Sequence, residues 1–330
     1  MNYDSEKIHA VWYRQKKPGW LKLLLSKLFA GVVALRGFLY QKKILRSHKV
    51  KAPVIVVGNI TAGGGGKTPV VIWLVNKLRA MGHKPGVISR GYGGKRDVEP
   101  MFVTPHTSAT ASGDEALLLA RKTEAPVFVA KKRIKAARQL LKQYPVNCIV
   151  SDDGMQHYAL QRDAEIVMVD AALGFGNERM LPAGPLREKK QRLDNVDLIL
   201  YKGEKAEAAY YEFKPGKIYQ LNKPSQEAQL SDFRSQKLHA MAGIANPDSF
   251  FQMLSAHGLA IIKRYLPDHH QIQPEDFEFD DEYPILITEK DAVKCADFNI
   301  SNVWVVSLEI KMNAQAETEL QSLLERLMQT

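Results

Sequence analysis

The residues best suited to chemistry lie in GNITAGGGGKTP, positions 58–69. Thr61, Ala62, Gly63, Gly64, Gly65 and Gly66 are small, and Lys67 and Thr68 follow them. Small residues let backbone N–H groups close around phosphate oxygens. A lysine at this offset reaches the terminal phosphates, and the next hydroxyl can bind Mg²⁺. The strict pattern opens on glycine, whereas Thr61 stands at that place here. Four glycines alone would suit a flexible turn. Lys-Thr directly after them, between a strand-like and a helix-like run, favours a phosphate loop.

Such a loop needs carboxylates for Mg²⁺ and a base for the phosphoryl acceptor. Asp152 and Asp153 close the apolar run 148–151 and precede GMQH, which ends in His157. At the carboxyl end of a buried strand they would face the crevice beside the loop. Asp-Gly is also an ordinary turn. Asp114 and Glu115 in SGDEALLLA support two explanations. Ser112-x-x-Glu115 fits a capping box with Asp114 in the first helical turn, and the pair equally fits a catalytic role. Arg90 in ISRGYGG and Arg187 in LPAGPLRE could each clamp a phosphate bidentately, although most single arginines are solvated. His269 and His270 in LPDHH could tune a base or bind a metal.

These residues need rigid elements to hold them. The run 53–60 is continuous, apolar and β-branched, as in a strand buried on both faces. A helix is expected over 68–81, with Gly82 and Pro85 ending it. Further strands are expected at 86–89, 126–130, 148–151, 166–169 and 198–201, with helices over 114–122 and 133–143. Strands alternating with helices imply a parallel sheet covered on both faces. The stretch 210–232 is polar and aperiodic and is expected to be a linker. A second alternating block follows, with strands at 238–242, 261–266, 285–288 and 303–308 and helices over 247–256 and 314–328. The expectation is an α/β protein with four parts: an N-terminal region 1–49, a phosphate-loop domain 50–209, a linker 210–232 and a smaller α/β domain 233–330.

The charge is strongly localised. The chain carries +10 overall, while residues 1–49 hold eleven Lys/Arg against Asp4 and Glu6. Nearly all the basicity is therefore at one end, which points to an anionic surface. Within that region WLKLLLSKLFAGVVALRGFLY, residues 20–40, is apolar but interrupted by Lys22, Lys27 and Arg36. Trp12, Tyr13, Trp20 and Tyr40 flank it, and Lys42, Lys43, Arg46 and Lys49 follow. A helix of this kind suits the membrane interface better than a span or a cleaved leader. No nucleic-acid module is recognisable. Cys148 and Cys295 imply neither a disulfide framework nor a metal site, which fits a reducing compartment.

In their order and combination these motifs resemble the tetraacyldisaccharide 4′-kinase (lipid A 4′-kinase) family. The resemblance runs from the basic apolar N-terminus through GNITAGGGGKTP, ISRGYGG, SGDEALLLA, DDGMQH, LPAGPLRE, AGIANPDSFF and LPDHH to ITEKDAVK. It implies transfer of the ATP γ-phosphoryl group to the 4′-hydroxyl of a tetraacyldisaccharide 1-phosphate. It also implies two α/β domains with the nucleotide between them, at the cytoplasmic face of the bacterial inner membrane. Asp114 matches the family's catalytic aspartate and His269 its helping histidine. Thr68, Glu115 and Asp152 match positions near Mg²⁺, with Asp153 and His157 beside them. Because Asp114 and His269 fall in different domains, closure is expected to assemble the site. No protein partner is implied. Two rivals are a membrane-associated GTPase and a nucleotide-dependent adaptor. The first needs a base-specificity motif, but Asn222-Lys223 runs into Pro224-Ser225.

Overall fold

The computed structural model describes residues 3–14, 16–63 and 66–329. Two helices come first, α1 (Tyr3–Tyr13) and α2 (Trp20–Gln41). The chain then forms β1 (Val54–Gly58), α3 (Lys67–Ala80), β2 (Pro85–Ser89), β3 (Met101–Val103), α4 (Ala109–Ser112) and α5 (Asp114–Thr123). Next come β4 (Val127–Val129), α6 (Arg133–Gln143), β5 (Cys148–Asp152), β6 (Ala164–Asp170) and β7 (Leu198–Lys202). The strands β8 (Tyr210–Gln220) and β9 (Lys223–Ala228) lead into β10 (Lys237–Ala242), α7 (Pro247–Ala256) and β11 (Ala260–Tyr265). The chain closes with β12 (Ile285–Thr288), α8 (Glu289–Cys295), β13 (Val303–Met312) and α9 (Ala314–Met328).

Among the described residues the thirteen strands make one sheet, in the order β11-β10-β12-β13-β8-β7-β6-β1-β5-β2-β4-β3, with β9 paired to β8. Only the β3–β4, β8–β13 and β8–β9 pairings are antiparallel. Strand β1 lies between β5 and β6, so the chain leaves β1 to opposite sides in turn. That switch opens a crevice above the carboxyl ends of the strands, where the loop after β1 sits.

The continuous apolar reading of β1 has a simple cause: all five of its residues are buried. Ile55 and Val57 pack into a core with α3, α5 and α9. Val54 and Val56 face the other way, into a core with α6. Each fully buried Val, Leu or Ile side chain contributes about 1.5–3 kcal/mol. The expected helices at 133–143, 247–256 and 314–328 are all present with those limits. Asn246 and Asn313 cap the last two through their side chains.

The stretch 210–232 is not irregular. It contains β8 and β9, and β8 pairs parallel with β7 and antiparallel with β13, which knits the two halves of the sheet together. A register shift opposite Val306 and Leu308 breaks the alternation along β8. The period-2 signal is lost there although the strand continues.

Helix α2 lies along the surface of the body. Ser26 Oγ donates to the Met180 carbonyl at 2.8 Å, and Arg36 Nη2 donates to the Gln156 carbonyl at 2.9 Å. Phe29, Ala30 and Val33 pack against the core beneath. The opposite face exposes Trp20, Leu21, Leu24, Leu25, Leu28, Val32, Leu35 and Phe38. By length and composition α2 is able to cross a membrane.

Candidate functional site

The loop after β1 is held from the side. Arg187 N–H donates to the Ile60 carbonyl at 2.6 Å, Ala62 N–H donates to the Pro185 carbonyl at 2.7 Å, and Thr61 bridges Leu186. The position that departs from the strict phosphate-loop pattern is thus stitched to the LPAGPLRE segment. Gly63 and Gly66 both have positive φ, +115° and +71°. Gly66 also admits no side chain, because a Cβ there would lie 2.7 Å from Tyr211 Oη on β8. Gly64 and Gly65 lie outside the described residues.

Helix α3 begins at Lys67. The Lys67 ammonium lies 3.4 Å from Asn59 Oδ1 and 3.6 Å from Asp153 Oδ1. Thr68 is buried in the first turn. Arg187 completes this group by donating through Nη1 to both Asp153 oxygens, at 3.3 and 3.2 Å. Burial resists ionisation of Asp153, but the charges of Lys67 and Arg187 outweigh it and hold its carboxyl below the usual range. Asp152 next to it is fully buried. Burial, with Glu115 and Asp153 adding like charge, pushes its carboxyl up, against Lys67 and Arg133. Ser89 Oγ donates to Asp152 Oδ2 at 3.3 Å, whereas Oδ1 has no hydrogen-bond partner among the described residues.

Asp114 opens α5. Ser112 does not form the capping box its spacing allows: it ends α4, and its hydroxyl donates to the Ser108 and Gly113 carbonyls. The cap of α5 is Gly113, at φ +84°, where a Cβ would meet the Tyr92 carbonyl at 2.3 Å. This close approach packs the RGYGG loop against the start of α5. From the other half of the sheet, His269 Nδ1 comes within 3.1 Å of Asp114 Oδ2. Lys290 and Lys294 of α8 lie 3.8 and 3.9 Å from the same oxygen. Burial raises the Asp114 carboxyl, but its hydrogen bond to His269 and the neighbouring cations carry it below the usual range. The same hydrogen bond raises His269, against burial and the charge of Lys290. The His269 ring also lies 5.1 Å from that of Tyr92, tilted by 56°.

A cleft of about 850 Å³ runs between the start of α3 and the α5–α8 contact, with Asp114 and His269 just beyond the residues that line it. Lys67, Thr68 and Glu115 border it from the first half, with Ile244, Phe250 and Lys290 from the second. Such a cleft can seat a polyphosphate at the α3 N-terminus beside a carboxylate positioned for proton transfer.

Three expected residues stand elsewhere. His157 Nε2 accepts from the Arg133 N–H at 3.1 Å, at the start of α6. The Arg133 guanidinium reaches the Asp152 and Asp153 carbonyls, so His157 supports the acidic turn from behind. Arg90 is exposed, and its side chain makes no ion pair among the described residues. His270 pairs with Asp276 through Nε2 at 2.8 Å and stays apart from Asp114. Asn222 of the incomplete base motif donates to the Ile300 carbonyl at the β8–β9 turn. Sequence reasoning missed Ser89, Arg133, Asp268, Lys290 and Lys294. The signal for the two lysines was ITEKDAVK directly after a buried strand, the same placement that marked Asp152.

The LpxK profile, described as tetraacyldisaccharide-1-P 4′-kinase, matches residues 19–328. A tetraacyldisaccharide 4′-kinase of Methylobacillus flagellatus is 43% identical over 330 residues, covering 98% of each chain. One of Pasteurella multocida is 44% identical over 308 residues, covering 92% of this chain and 94% of its own. A crystal structure of LpxK from Aquifex aeolicus, an "apo" form in complex with ATP, is similar with a TM-score of 0.75 at 25% identity. It covers 93% of this chain and 98% of its own. With the profile spanning nearly the whole length and full-length relatives above 40% identity, the chain belongs to the tetraacyldisaccharide-1-phosphate 4′-kinase family.

Proposed function

We propose that the chain transfers the γ-phosphoryl group of ATP to the 4′-hydroxyl of tetraacyldisaccharide 1-phosphate, at the cytoplasmic face of the inner membrane. The observation that carries this reading is the contact between His269 and Asp114 across the two halves, beside the phosphate-loop cleft. Lys67 and the loop amides hold the terminal phosphates. Arg187 keeps Asp153 ionised and lies where a second phosphate contact is available. As the 4′-oxygen bonds to the γ-phosphorus, the bond from that phosphorus to the β,γ-bridging oxygen breaks and ADP leaves. The hydroxyl proton passes to Asp114, which His269 orients and supports.

The donor set also fits Mg²⁺. Asp152 Oδ1 is buried without a hydrogen-bond partner among the described residues, and the Thr68 hydroxyl lies at the start of α3. No group of three or more metal-binding side chains exists among the described residues. Mg²⁺ in phosphoryl-transfer sites takes only one or two carboxylates, the rest being phosphate oxygens and water. Thr68, Asp152 and Glu115 would hold it. When bound, it supplies positive charge to the β- and γ-phosphates.

The test is transfer of label from γ-labelled ATP to tetraacyldisaccharide 1-phosphate in detergent micelles with Mg²⁺. Wild type is expected to label the lipid. Asp114→Ala is expected to lose about 10²–10⁴-fold in kcat while still binding ATP. A folded, ATP-binding wild type that leaves the lipid unlabelled would sink this assignment.

A further inference from the structure

Lys290 lies where the two halves meet. Its ammonium is 3.3 Å from Glu115 Oε1, 3.3 Å from Asp268 Oδ1 and 3.8 Å from Asp114 Oδ2. Asp268 Oδ2 in turn lies 3.7 Å from His269 Nε2, and His269 Nδ1 meets Asp114. One cation therefore closes a ring of Asp114, His269, Asp268 and Lys290, with Glu115 attached. The Lys290 side chain is only 18% exposed and borders the same cleft as Lys67 and Thr68.

We infer that Lys290 is a positioning residue for phosphoryl transfer: its ammonium, supplied by the second half, holds Asp114 and Glu115 together at the phosphate-loop cleft. The inference rests on the kinase reading above. Asp114 and Glu115 are consecutive carboxylates in one helical turn, and they repel each other. An ammonium within 4 Å of both carboxylates offsets that repulsion and fixes where each points. Lys290 supplies that cation from α8, an element of the second half that packs against α5 through Val293, Leu117 and Leu118. A nearby ion pair provides a contrast. Lys122 of α5 pairs with Glu289 of α8, joining the same two helices without touching Asp114.

Three variants and one rescue test this with labelled ATP and the lipid in micelles, alongside ATP affinity and melting temperature. Lys290→Met is expected to lower kcat by about 10²-fold with ATP affinity unchanged. Lys290→Arg should recover part of that loss because the charge remains. Lys290→Ala should regain turnover when propylammonium is added. Lys122→Met, at the cleft edge but away from Asp114, should lose far less turnover than Lys290→Met. Undiminished turnover by Lys290→Met would overturn the inference. So would a loss that matches Lys122→Met, follows the melting temperature and ignores propylammonium. Absence of transfer by the wild type would overturn the reaction assignment itself, and the role of Lys290 with it.

Discussion

His157 is held to one protonation state by the groups around it. Its Nε2 accepts from the Arg133 backbone, which requires a ring without a proton on that nitrogen. Burial, then the charges of Arg133 and Arg162, lower it from 6.5 to about 4. The folded state thus binds fewer protons than the unfolded state between those values. This contribution to stability is complete above about 6.5 and is lost as the pH falls to about 4. His157→Gln keeps an acceptor and removes the titration. Its urea midpoint should change less than that of the wild type between pH 7 and pH 5. Equal slopes would mean that His157 is not held neutral in the fold. Residues at this scale were legible where neighbours in sequence carry the chemistry. Lys67 and Thr68 follow their glycines directly, so spacing alone marks them as candidates. Lys290 reaches Glu115 from 175 positions away, and no local pattern separates it from a solvated helix lysine. Arg133 resembled a surface residue for the same reason, yet it is only 4% exposed and supports the Asp152–Asp153 turn from behind.

The phosphate loop owes its shape to two neighbours that come later in the chain. The LPAGPLRE segment hydrogen-bonds its first part, and β8 closes against Gly66. With φ at +71° and Tyr211 Oη in the way, Gly66→Ala meets backbone strain and a clash together. The strain alone costs about 1–3 kcal/mol. That cost falls on the loop, whereas the α3 core residues Leu74 and Leu78 keep their packing. ATP affinity should therefore drop at least tenfold, with only a small change in melting temperature, as calorimetric titration beside a thermal melt would read. A variant that binds ATP normally would show that the loop conformation is not the binding one. Buried parallel strands were easy to read because both faces are apolar, as in β1. β8 was not, because its bulge shifts the side-chain alternation midway. The halves of the sheet are thus joined by the element whose sequence least resembles a strand.

The molecule has one strongly asymmetric surface. Residues 1–49 carry almost the whole net charge, and α2 exposes eight large apolar side chains along one face. Its 22 residues span about 33 Å, enough to cross a bilayer. The other face argues against crossing. Ser26, Phe29, Ala30, Val33 and Arg36 fall on one stripe of the helix and all contact the body. The helix is therefore attached lengthwise, and standing upright in a bilayer would strip away that whole line of contacts. Lying flat keeps it and still buries Leu24, Leu28, Val32 and Leu35. Each of these contributes on the order of 1 kcal/mol once part-exposure is allowed for. Replacing all four with Gln should reduce partitioning onto anionic vesicles at least 10²-fold, with ATP affinity unchanged. Depth decides between the two orientations. Cys148 and Cys295 are both buried, so a cysteine placed at Val32 can be labelled selectively under native conditions. A fluorophore there should be quenched best by lipids carrying their quencher about 5–10 Å below the headgroups. Strongest quenching at the bilayer centre would mean that the helix leaves the body and inserts upright.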